Sequence, residues 1–410
     1  MSESPESLPA SVLAARPAVF AASRFVEEAA ERDPGMLPGL AGTGEFGRPR
    51  RAGEIAALTS GLADAGSEEA TFMAELRRLR RRELVRIAWR DLAGLAPLDE
   101  TLGELSALAD AAIASALDFG RRRLDARFGT PRSSKGEAQE LLVIGMGKLG
   151  GGELNFSSDI DLVFLFPETG ETDGARVVSN EEYFTRLGQS LIRLLDARTA
   201  EGIVFRVDMR LRPLGEPGPL AMNFGAFEDY LQQHGRDWER YAWVKARAIT
   251  GAERYRALYD AAVRPFVYRR YLDFGVYESL RDMKAMIARE VERRELSDNV
   301  KLGPGGIREI EFIVQSQQLI RGGTEPVLQT ASLLAALPRL AGTKLLPAQT
   351  VSELQQAYAF LRRVENRLQM VDDAQTHALP IEDKDRLRLA VAMGFPGWND
   401  FATARALTQA

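Results

Sequence analysis

The feature that most constrains the fold is a glycine-rich segment, residues 145–162, that lies between two apolar runs. Residues 141–144 form the first run and residues 160–166 the second, so each predicts a short buried strand. Asp159 and Asp161 open the second strand, and side chains two residues apart in a strand point to the same face. Adjacent carboxylates repel each other unless a cation lies between them, and Mg²⁺ takes oxygen ligands from carboxylates, water and phosphates. The segment therefore predicts a phosphoryl- or nucleotidyl-transfer site in which Asp159 and Asp161 bind Mg²⁺.

The same glycines also fit a competing pattern. Gly145, Gly147 and Gly150 have the spacing of a dinucleotide-binding turn, and Glu168 stands near the position of the acid that binds ribose in such proteins. That pattern requires a helix directly after the first glycine. Residues 148–158 contain three glycines, one asparagine and two serines, and these residue types disfavour a helix. We therefore favour the transfer site over the dinucleotide site.

A third acid belongs to a later predicted strand. Residues 203–213 alternate between apolar side chains (Phe205, Val207, Met209, Leu211) and polar ones (Arg206, Asp208, Arg210, Arg212). An exposed strand face with solvated ion pairs is the plainer interpretation of Asp208. Beside a glycine turn and an Asp-x-Asp strand, we predict instead that Asp208 is a third metal-binding and catalytic carboxylate.

Basic and small residues near these acids are the candidates for phosphate binding. Only seven of the 53 basic residues are lysines, and a lysine ammonium binds phosphate as a compact point charge. Amide groups of a glycine turn and nearby hydroxyl groups can also surround phosphate oxygens. The residues predicted to bind phosphate or nucleotide are Gly147, Lys148, Gly150, Gly151, Ser157, Ser158, Arg210, Arg240, Lys245 and Lys301.

The rest of the chain is predicted to be mainly helical. Apolar residues at helical spacing predict the helices 20–32, 51–65, 68–93 and 101–128. Ser179 and Glu182 form a capping-box pattern that predicts a helix running to residue 198, and nearly everything after residue 224 is predicted to be helix. Residues 77–82 include five arginines, for which a solvated helix face is favoured over a contact with a partner.

Composition excludes several classes of function. The net charge is −5, with 53 basic and 58 acidic residues, which argues against a nucleic-acid-binding surface. No apolar run is long enough to cross a membrane, and the acidic first residues do not form a signal peptide, so we expect a cytoplasmic protein. The chain has no cysteine, and its two histidines, His234 and His377, are too few for a histidine-rich zinc site or a Ser-His triad.

The order of these motifs resembles known proteins at two levels. A glycine-serine segment, an Asp-x-Asp strand and a later aspartate resemble the nucleotidyltransferase fold of the DNA polymerase β type. Longer stretches resemble the bifunctional family of glutamine synthetase adenylyltransferase/adenylyl-removing enzymes, namely 145–164, 207–219, 235–247, 272–286, 301–315 and 361–377. The resemblance covers most of residues 70–395 and thins over the first seventy residues.

The resemblance implies an activity. In this family one half of the protein removes AMP from a tyrosine of glutamine synthetase by phosphorolysis, which releases ADP, and the other half attaches AMP from ATP. The chain contains one glycine-to-Asp-x-Asp block, and its wording, with Met146 between two glycines and Ile160 between the aspartates, resembles the first half. We therefore expect deadenylylation, with glutamine synthetase and the PII signal protein as partners and two Mg²⁺ ions bound by Asp159, Asp161 and Asp208. The leaving tyrosine has a solution pKa of about 10, so little acid catalysis is expected, in keeping with a site predicted to lack a histidine.

These expectations divide the chain into three regions. Residues 1–130 are a helical N-terminal region, residues 131–222 are the mixed-sheet nucleotidyltransferase core, and residues 223–410 are a helical region that completes the catalytic domain. The predicted fold class is α+β, and the chain is expected to be part of a longer protein. Two other functions stay open: adenylylation of glutamine synthetase with ATP, and a non-catalytic module that binds glutamine synthetase or PII.

Overall fold

The computed structural model describes residues 8–63, 68–270, 275–293 and 298–409. The helices that precede the first strand are α1 (Ala10–Ala22), α2 (Arg24–Arg32), α3 (Met36–Gly42), α4 (Glu54–Thr59), α5 (Glu69–Leu92) and α6 (Leu98–Phe128). The helices predicted over 68–93 and 101–128 are confirmed as α5 and α6. The helix predicted over 20–32 is interrupted at Ser23, whose hydroxyl accepts from the N–H of Val26 and so begins α2. The helix predicted over 51–65 is shorter, and residues 64 and 65 lie outside the described residues.

The arginines of α5 correct one prediction. Arg77 is buried, and its guanidinium donates to the carbonyls of Met73, Leu194 and Gly202. Arg80 is also buried and pairs with the carboxylate of Asp373. A solvated face is therefore wrong for these two arginines, because their side chains satisfy backbone carbonyls and a carboxylate from distant parts of the chain.

Within the described residues, five short strands form one mixed sheet. They are β1 (Leu142–Gly145), β2 (Ile160–Phe166), β3 (Val207–Asp208), β4 (Ala221–Asn223) and β5 (Arg247–Ala248). β1 runs antiparallel to both β2 and β5, whereas β3 and β4 run parallel to β2. The α+β class is confirmed. A dinucleotide turn would place parallel strands on either side of its helix, so the antiparallel β1 and β2 exclude that alternative.

The third predicted strand is much shorter than residues 203–213. The N–H groups of Val204 and Phe205 donate to the carbonyl of Leu195 at the end of the preceding helix, so they are not available to a sheet. After Asp208 the chain turns, because the N–H of Arg210 donates to the carboxylate of Asp208. Only Val207–Asp208 remains as a strand.

Most helices between the strands and after them agree with the prediction. α8 (Asn180–Asp196) begins at Ser179, whose side chain accepts from the N–H of Glu182, and so confirms the predicted N-terminus. α7 (Gly147–Gly150) is a single turn inside the glycine-rich segment. The later elements are α9 (Phe224–Gln233), α10 (Asp237–Trp243), α11 (Ala252–Val267), α12 (Gly275–Arg293), α13 (Ile307–Arg321), a 3-10 turn (Pro326–Leu328), α14 (Leu333–Gly342), α15 (Ala348–Met370), α16 (Asp383–Ala392) and α17 (Trp398–Gln409).

Both faces of the sheet are buried under helices. Ile160, Leu162 and Phe164 of β2 pack into the core formed with α5, α6 and α8. Val163 and Leu165 point to the opposite face and pack with residues of α9, α10 and α11. Asp161 shares the alternation of Val163 and Leu165, so its carboxylate lies on the side of the sheet where α10 and α13 are found. In the described part of the chain, no helix is long and apolar enough to span a membrane.

Candidate active site

A cavity of about 650 Å³ lies at the edge of the sheet where β1 ends and β2 begins. Charged side chains that line it include the carboxylates of Asp159, Asp161 and Asp208 and the basic groups of Lys148, Lys245, Lys301, Arg210 and Arg308. Apolar and aromatic side chains that line it include Leu211, Trp238, Tyr241, Met283, Met286 and Leu302. The structure therefore brings the three predicted acids together in one cavity with several basic side chains.

Strand pairing places two of the acids side by side. Asp161 on β2 is the register partner of Asp208 on the parallel strand β3. Burial and the negative charge of Asp208 raise the pKa of Asp161 to about 6, with a further contribution from Asp159. Gly147 of the glycine turn has a positive φ of 56°, and a Cβ atom there would lie 3.1 Å from the carboxylate of Asp161. The turn thus approaches Asp161 closely because Gly147 has no side chain.

The other two acids are paired with arginines. The guanidinium of Arg206 donates to one carboxylate oxygen of Asp159, and Gln375 donates to the other at 3.0 Å. Arg210 binds the carboxylate of Asp208 through its guanidinium and its backbone N–H. Burial by itself would raise the pKa of Asp208, but the hydrogen bonds from Arg210 outweigh burial and lower it.

The donor set suits Mg²⁺ without forming a closed metal cage. Among the described residues, no group of three or more carboxylates or histidines is arranged to hold a metal ion. Mg²⁺ in transfer enzymes is usually bound by one or two carboxylates together with substrate phosphates. The adjacent carboxylates of Asp161 and Asp208 fit that arrangement, because a cation between them would offset their mutual repulsion.

Two lysines of the cavity are paired with glutamates, one of them fully buried and the other partly buried. The ammonium of Lys148 lies 2.6 Å from Oε1 of Glu365, and that of Lys245 lies 2.6 Å from Oε1 of Glu311. Burial lowers the pKa of Lys148 to about 7 despite Glu365. Lys301 adds positive charge near Lys148, Asp161 and Glu311.

The structure does not bring every predicted phosphate-binding residue to the cavity. Arg240 is buried elsewhere, where its guanidinium donates to the carbonyls of Phe266 and Val267 at the end of α11. The N–H of Ser157 donates to Gln369 at 2.9 Å, and its hydroxyl donates to the carbonyl of Asp373. The guanidinium of Arg240 and the N–H and hydroxyl groups of Ser157 therefore make hydrogen bonds within the protein that hold its fold.

The glycines of the turn also divide into two groups. A Cβ atom on Gly150 would lie 1.7 Å from the carbonyl oxygen of Lys245, so Gly150 allows the turn to pack against the chain after α10. A Cβ atom on Gly151 would lie 3.2 Å from the carbonyl oxygen of Ala331, so Gly151 also packs against a neighbouring backbone segment. The predicted residues that do line the cavity are Gly147, Lys148, Ser158, Arg210, Lys245 and Lys301.

The polar face of α15 holds the glycine-rich segment in place. Arg362 donates to the side chain of Asn155 and to the carbonyl of Glu153. The N–H of Phe156 donates at 2.9 Å to the side chain of Asn366, which is fully buried. Together with the bond from Ser157 to Gln369, these contacts satisfy the backbone of a loop that has no secondary structure of its own.

Sequence reasoning missed part of the site. Glu311, Gln375 and His377 line the cavity beside the predicted acids, so the expectation of a site without a histidine is wrong. These residues are between about 160 and 230 positions away from the glycine turn, a separation that local patterns do not connect. The signal for Glu311 and His377 was their presence in the family-like stretches 301–315 and 361–377.

A glycine turn, Asp159 and Asp161 at the start of β2, and Asp208 on the neighbouring parallel strand β3 line one cavity and have the arrangement of a nucleotidyltransferase core. Residues 15–262 match the family model described as glutamate-ammonia ligase adenylyltransferase, and the chain belongs to that family. Residues 281–410 match the model described as GlnD PII-uridylyltransferase.

Named relatives agree with this family. The chain is 53% identical over 384 residues to a bifunctional glutamine synthetase adenylyltransferase/adenylyl-removing enzyme of Thioalkalivibrio sulfidiphilus, covering 94% of this chain and 40% of the relative. Proteins with the same description from Nitrosococcus oceani and Pseudomonas aeruginosa are 53% and 51% identical over 94% and 93% of this chain, and 40% and 39% of their own lengths. The chain thus spans about 40% of the length of these relatives.

Proposed function

We propose that this chain removes AMP from an adenylylated tyrosine of glutamine synthetase by phosphorolysis, which yields ADP and the unmodified synthetase. The observation that carries the proposal is the cavity itself, which is lined by three aspartates and three lysines as well as by aromatic and apolar side chains. Its volume of about 650 Å³ is within the range of small-ligand sites.

The basic side chains of the cavity support phosphate binding. Lys148, Lys245 and Lys301 offer three ammonium groups, two of them fixed by glutamates, and Arg308 adds a fourth cation. The reaction joins an inorganic phosphate to the α-phosphate of AMP, so two anionic groups must meet. Fixed cations offset that repulsion and need no rearrangement as the transition state forms.

The apolar side chains of the cavity support binding of a nucleobase. Trp238 is 45% exposed and Met286 is 60% exposed although both line the cavity. Tyr241 also lines the cavity and packs against Phe312. A planar purine ring covers such a surface well, because aromatic and thioether groups make favourable contacts with π systems.

The acids complete the proposal. Asp161 and Asp208 would hold Mg²⁺, and Asp159 would join them once its contacts with Arg206 and Gln375 rearrange. A bound Mg²⁺ supplies charge neutralisation on the phosphates and a template for in-line attack, and two such ions are part of the proposal. The chain's own contribution is to place the carboxylates on adjacent strands and to keep the glycine turn next to them.

Adenylylation with ATP is the second candidate, because the relatives are described as bifunctional. We favour removal because the glycine segment, with Met146 and Ile160, resembles the deadenylylating half of the family. A purely binding module is less favoured, since all three acids are present and lie in one cavity. The match of residues 281–410 to a PII-uridylyltransferase model favours PII as a second partner, and a cytoplasmic location stays a prediction.

One pair of assays tests direction. The chain is incubated with adenylylated glutamine synthetase, Mg²⁺ and phosphate, and ADP is measured; we expect ADP that depends on both phosphate and Mg²⁺. In parallel, radiolabelled ATP is supplied with unmodified glutamine synthetase, and we expect little label on the synthetase. Strong labelling without ADP production from the first assay would replace our proposal by adenylylation, and inactivity in both would leave the binding module.

A further inference from the structure

His377 occupies a position that the proposed reaction does not yet use. Its imidazole lines the cavity, and its Nδ1 lies 2.8 Å from Oε1 of Glu365. The ammonium of Lys148 contacts the same carboxylate oxygen at 2.6 Å. Glu365 is fully buried. Burial alone would raise its pKa, but Lys148, the contact with His377 and Arg362 hold that pKa well below the usual value.

The backbone around His377 is tied to the cavity on two sides. Its carbonyl accepts from the N–H of Val300 at 2.9 Å, directly before Lys301. Two residues earlier, Gln375 donates to the carboxylate of Asp159 at 3.0 Å. The segment that carries His377 is therefore tied both to Asp159 and to the residue before Lys301.

The orientation of the ring is also defined. Nδ1 is inaccessible to solvent and faces Glu365, although the contact is not aligned as a regular hydrogen bond. The side chain as a whole is 18% exposed. The exposed part of the ring therefore excludes Nδ1, which leaves Nε2 as the ring nitrogen available to a ligand of the cavity that His377 lines.

The chemistry of phosphorolysis requires one proton to move. Adenylyl-tyrosine carries one negative charge and monohydrogen phosphate carries two, whereas the products are ADP with three negative charges and neutral tyrosine. A lone pair of a phosphate oxygen forms a bond to the α-phosphorus, and the bond between that phosphorus and the tyrosine oxygen breaks with its electron pair on oxygen. The phosphate therefore loses one proton and the tyrosine oxygen gains one.

We propose that His377 is the catalytic residue that protonates the tyrosine oxygen, with Glu365 as its positioning residue; the inference rests on the proposed deadenylylation. Nε2–H of the imidazolium gives its proton to the tyrosine oxygen as the P–O bond breaks. The proton of the phosphate passes to water on the opposite side of the phosphorus, and the neutral ring regains a proton from water, so that the charges balance. Nδ1–H stays against Glu365 throughout.

The shared carboxylate explains why His377 fits this role better than Lys148. When His377 becomes neutral, the ammonium of Lys148 still balances the buried charge of Glu365. If Lys148 gave up its proton instead, Glu365 would lose the ammonium group that contacts it at 2.6 Å. Other charged groups that face the cavity around His377 are Lys301 before α13, Arg308 and Glu311 on α13, Lys245 after α10, and the three aspartates.

A comparison of two histidine variants tests the inference in the whole chain. His377→Gln should lower the rate of ADP formation by at least about 100-fold, the lower end of general acid–base effects. His234→Gln is the matched control, because His234 is exposed after α9 and packs beside Tyr230 away from the cavity. We expect the control to keep the rate of the unmodified chain.

The acidity of the leaving group separates proton transfer from a structural role. Glutamine synthetase carrying a fluorinated tyrosine at the adenylylated position has a more acidic phenol, which needs less protonation. We expect the defect of His377→Gln to shrink at least tenfold with this substrate. Equal defects with both substrates, or a variant within twofold of the unmodified chain, would overturn the assignment.

A spectroscopic measurement keeps the test independent of turnover. The chain has two histidines, so ¹⁵N-labelled imidazole signals are assigned by the two variants. AMP and phosphate together should shift the His377 signal and leave that of His234 unchanged. An unmoved His377 signal would overturn the assignment, whereas a shifted signal in a chain that makes no ADP would place the failure in the proposed deadenylylation.

Discussion

The three aspartates of the cavity differ in how their charges are balanced. Asp159 and Asp208 are paired with Arg206 and Arg210, whereas Asp161 faces other carboxylates and has a pKa raised to about 6. A carboxyl group whose pKa is higher in the folded than in the unfolded state lowers folding stability once it ionises. That loss begins above the ordinary value of 3.8 and is complete above about pH 6.

We predict that Asp161→Asn stabilises the metal-free protein and abolishes its activity. The gain at pH 7 has an upper limit of about 3 kcal/mol, from about two pKa units at 1.36 kcal/mol each. The difference in melting temperature between the variant and the unmodified chain, measured with a chelator present, should shrink as the pH falls from 7 to 4.

Asp173→Asn is the matched control for this experiment. Hydrogen bonds from Arg132 and from the N–H of Thr130 lower the pKa of Asp173, so its substitution should not stabilise the protein. A lower melting temperature for Asp161→Asn than for the unmodified chain at pH 7 would contradict the carboxylate repulsion. Activity above about a tenth of the unmodified level would contradict the metal role.

The pair of Lys148 and Glu365 supports a second prediction. Lys148→Ala should raise the KM for phosphate and lower turnover, with a total loss of about 2–3 kcal/mol in kcat/KM for a charge-assisted contact. Lys148→Arg should rescue poorly, because a planar fork does not replace a compact ammonium. Phosphate titrations of the rate measure both effects, and unchanged phosphate kinetics in Lys148→Ala would refute this contact.

The same pair predicts a difference between stability and activity. Lys148→Met alone leaves Glu365 with less compensation in a buried site, a loss that reaches about 3 kcal/mol when one partner of a buried pair is removed. Adding Glu365→Gln should restore much of the stability and none of the activity. A double-mutant cycle in urea unfolding measures the coupling, and additive effects would show that the two charges act independently.

At the scale of residues, the sequence predicted which acids share the cavity better than it predicted which partners each side chain contacts. Asp159, Asp161 and Asp208 were found because local patterns place acids on strand faces. Arg240 was predicted to bind phosphate, yet its guanidinium donates to two carbonyls at the end of α11. His377 was missed because its partner Glu365 and the cavity come together only through tertiary structure.

At the scale of elements, α15 acts as a support for the glycine-rich loop. Its residues Tyr358, Arg362, Glu365, Asn366 and Gln369 are all fully buried and recur at three- and four-residue spacing, so they share one face of the helix. Such a polar face would ordinarily be solvated. Here it is buried against residues 153–157 and supplies the hydrogen bonds that this loop lacks.

We therefore predict that Gln369→Leu weakens both stability and ligand binding. The buried N–H of Ser157 would lose its acceptor, which costs about 1–3 kcal/mol, and Ser158 and Asp159 would be less well placed. Urea unfolding and titration with Mg²⁺ and ADP measure the two effects. Gln356→Leu on the exposed face of α15 is the control, and equal behaviour of the two variants would rule out the supporting role.

Elements were predictable where periodicity was strong and local. α5, α6 and α8 were placed correctly because their apolar residues recur over several turns and Ser179 marks the start of α8. The strand over 203–213 was overextended, since alternation cannot show that Val204 and Phe205 donate to Leu195. β5, with two residues, has no pattern of its own and exists because it pairs with β1.

At the scale of the whole molecule, the cavity is assembled from segments that are far apart in the chain. The predicted regions 131–222 and 223–410 both contribute to it, through Asp161 and Asp208 on one side and Lys245, Lys301 and His377 on the other. Folding of the two regions is therefore coupled through the site.

We predict that ADP with Mg²⁺ raises the melting temperature of the entire chain in a single transition. A ligand at about 100 times its dissociation constant stabilises the folded state by about 2.7 kcal/mol. Thermal unfolding followed by circular dichroism measures the shift, and Asp208→Asn should reduce it. Two separate transitions, of which only one responds to ADP, would contradict the coupling.

The contacts between residues 153–157 and α15 also have an evolutionary consequence. The guanidinium of Arg362 donates hydrogen bonds to the side chain of Asn155 and to the carbonyl of Glu153, and Tyr358 donates to the carboxylate of Glu153 at 2.9 Å. A change at one of these positions leaves a buried polar group without its partner unless the other position changes as well. Across an alignment of relatives, Glu153 and Tyr358, and Asn155 and Arg362, should thus be inherited as matched pairs and covary where they vary at all.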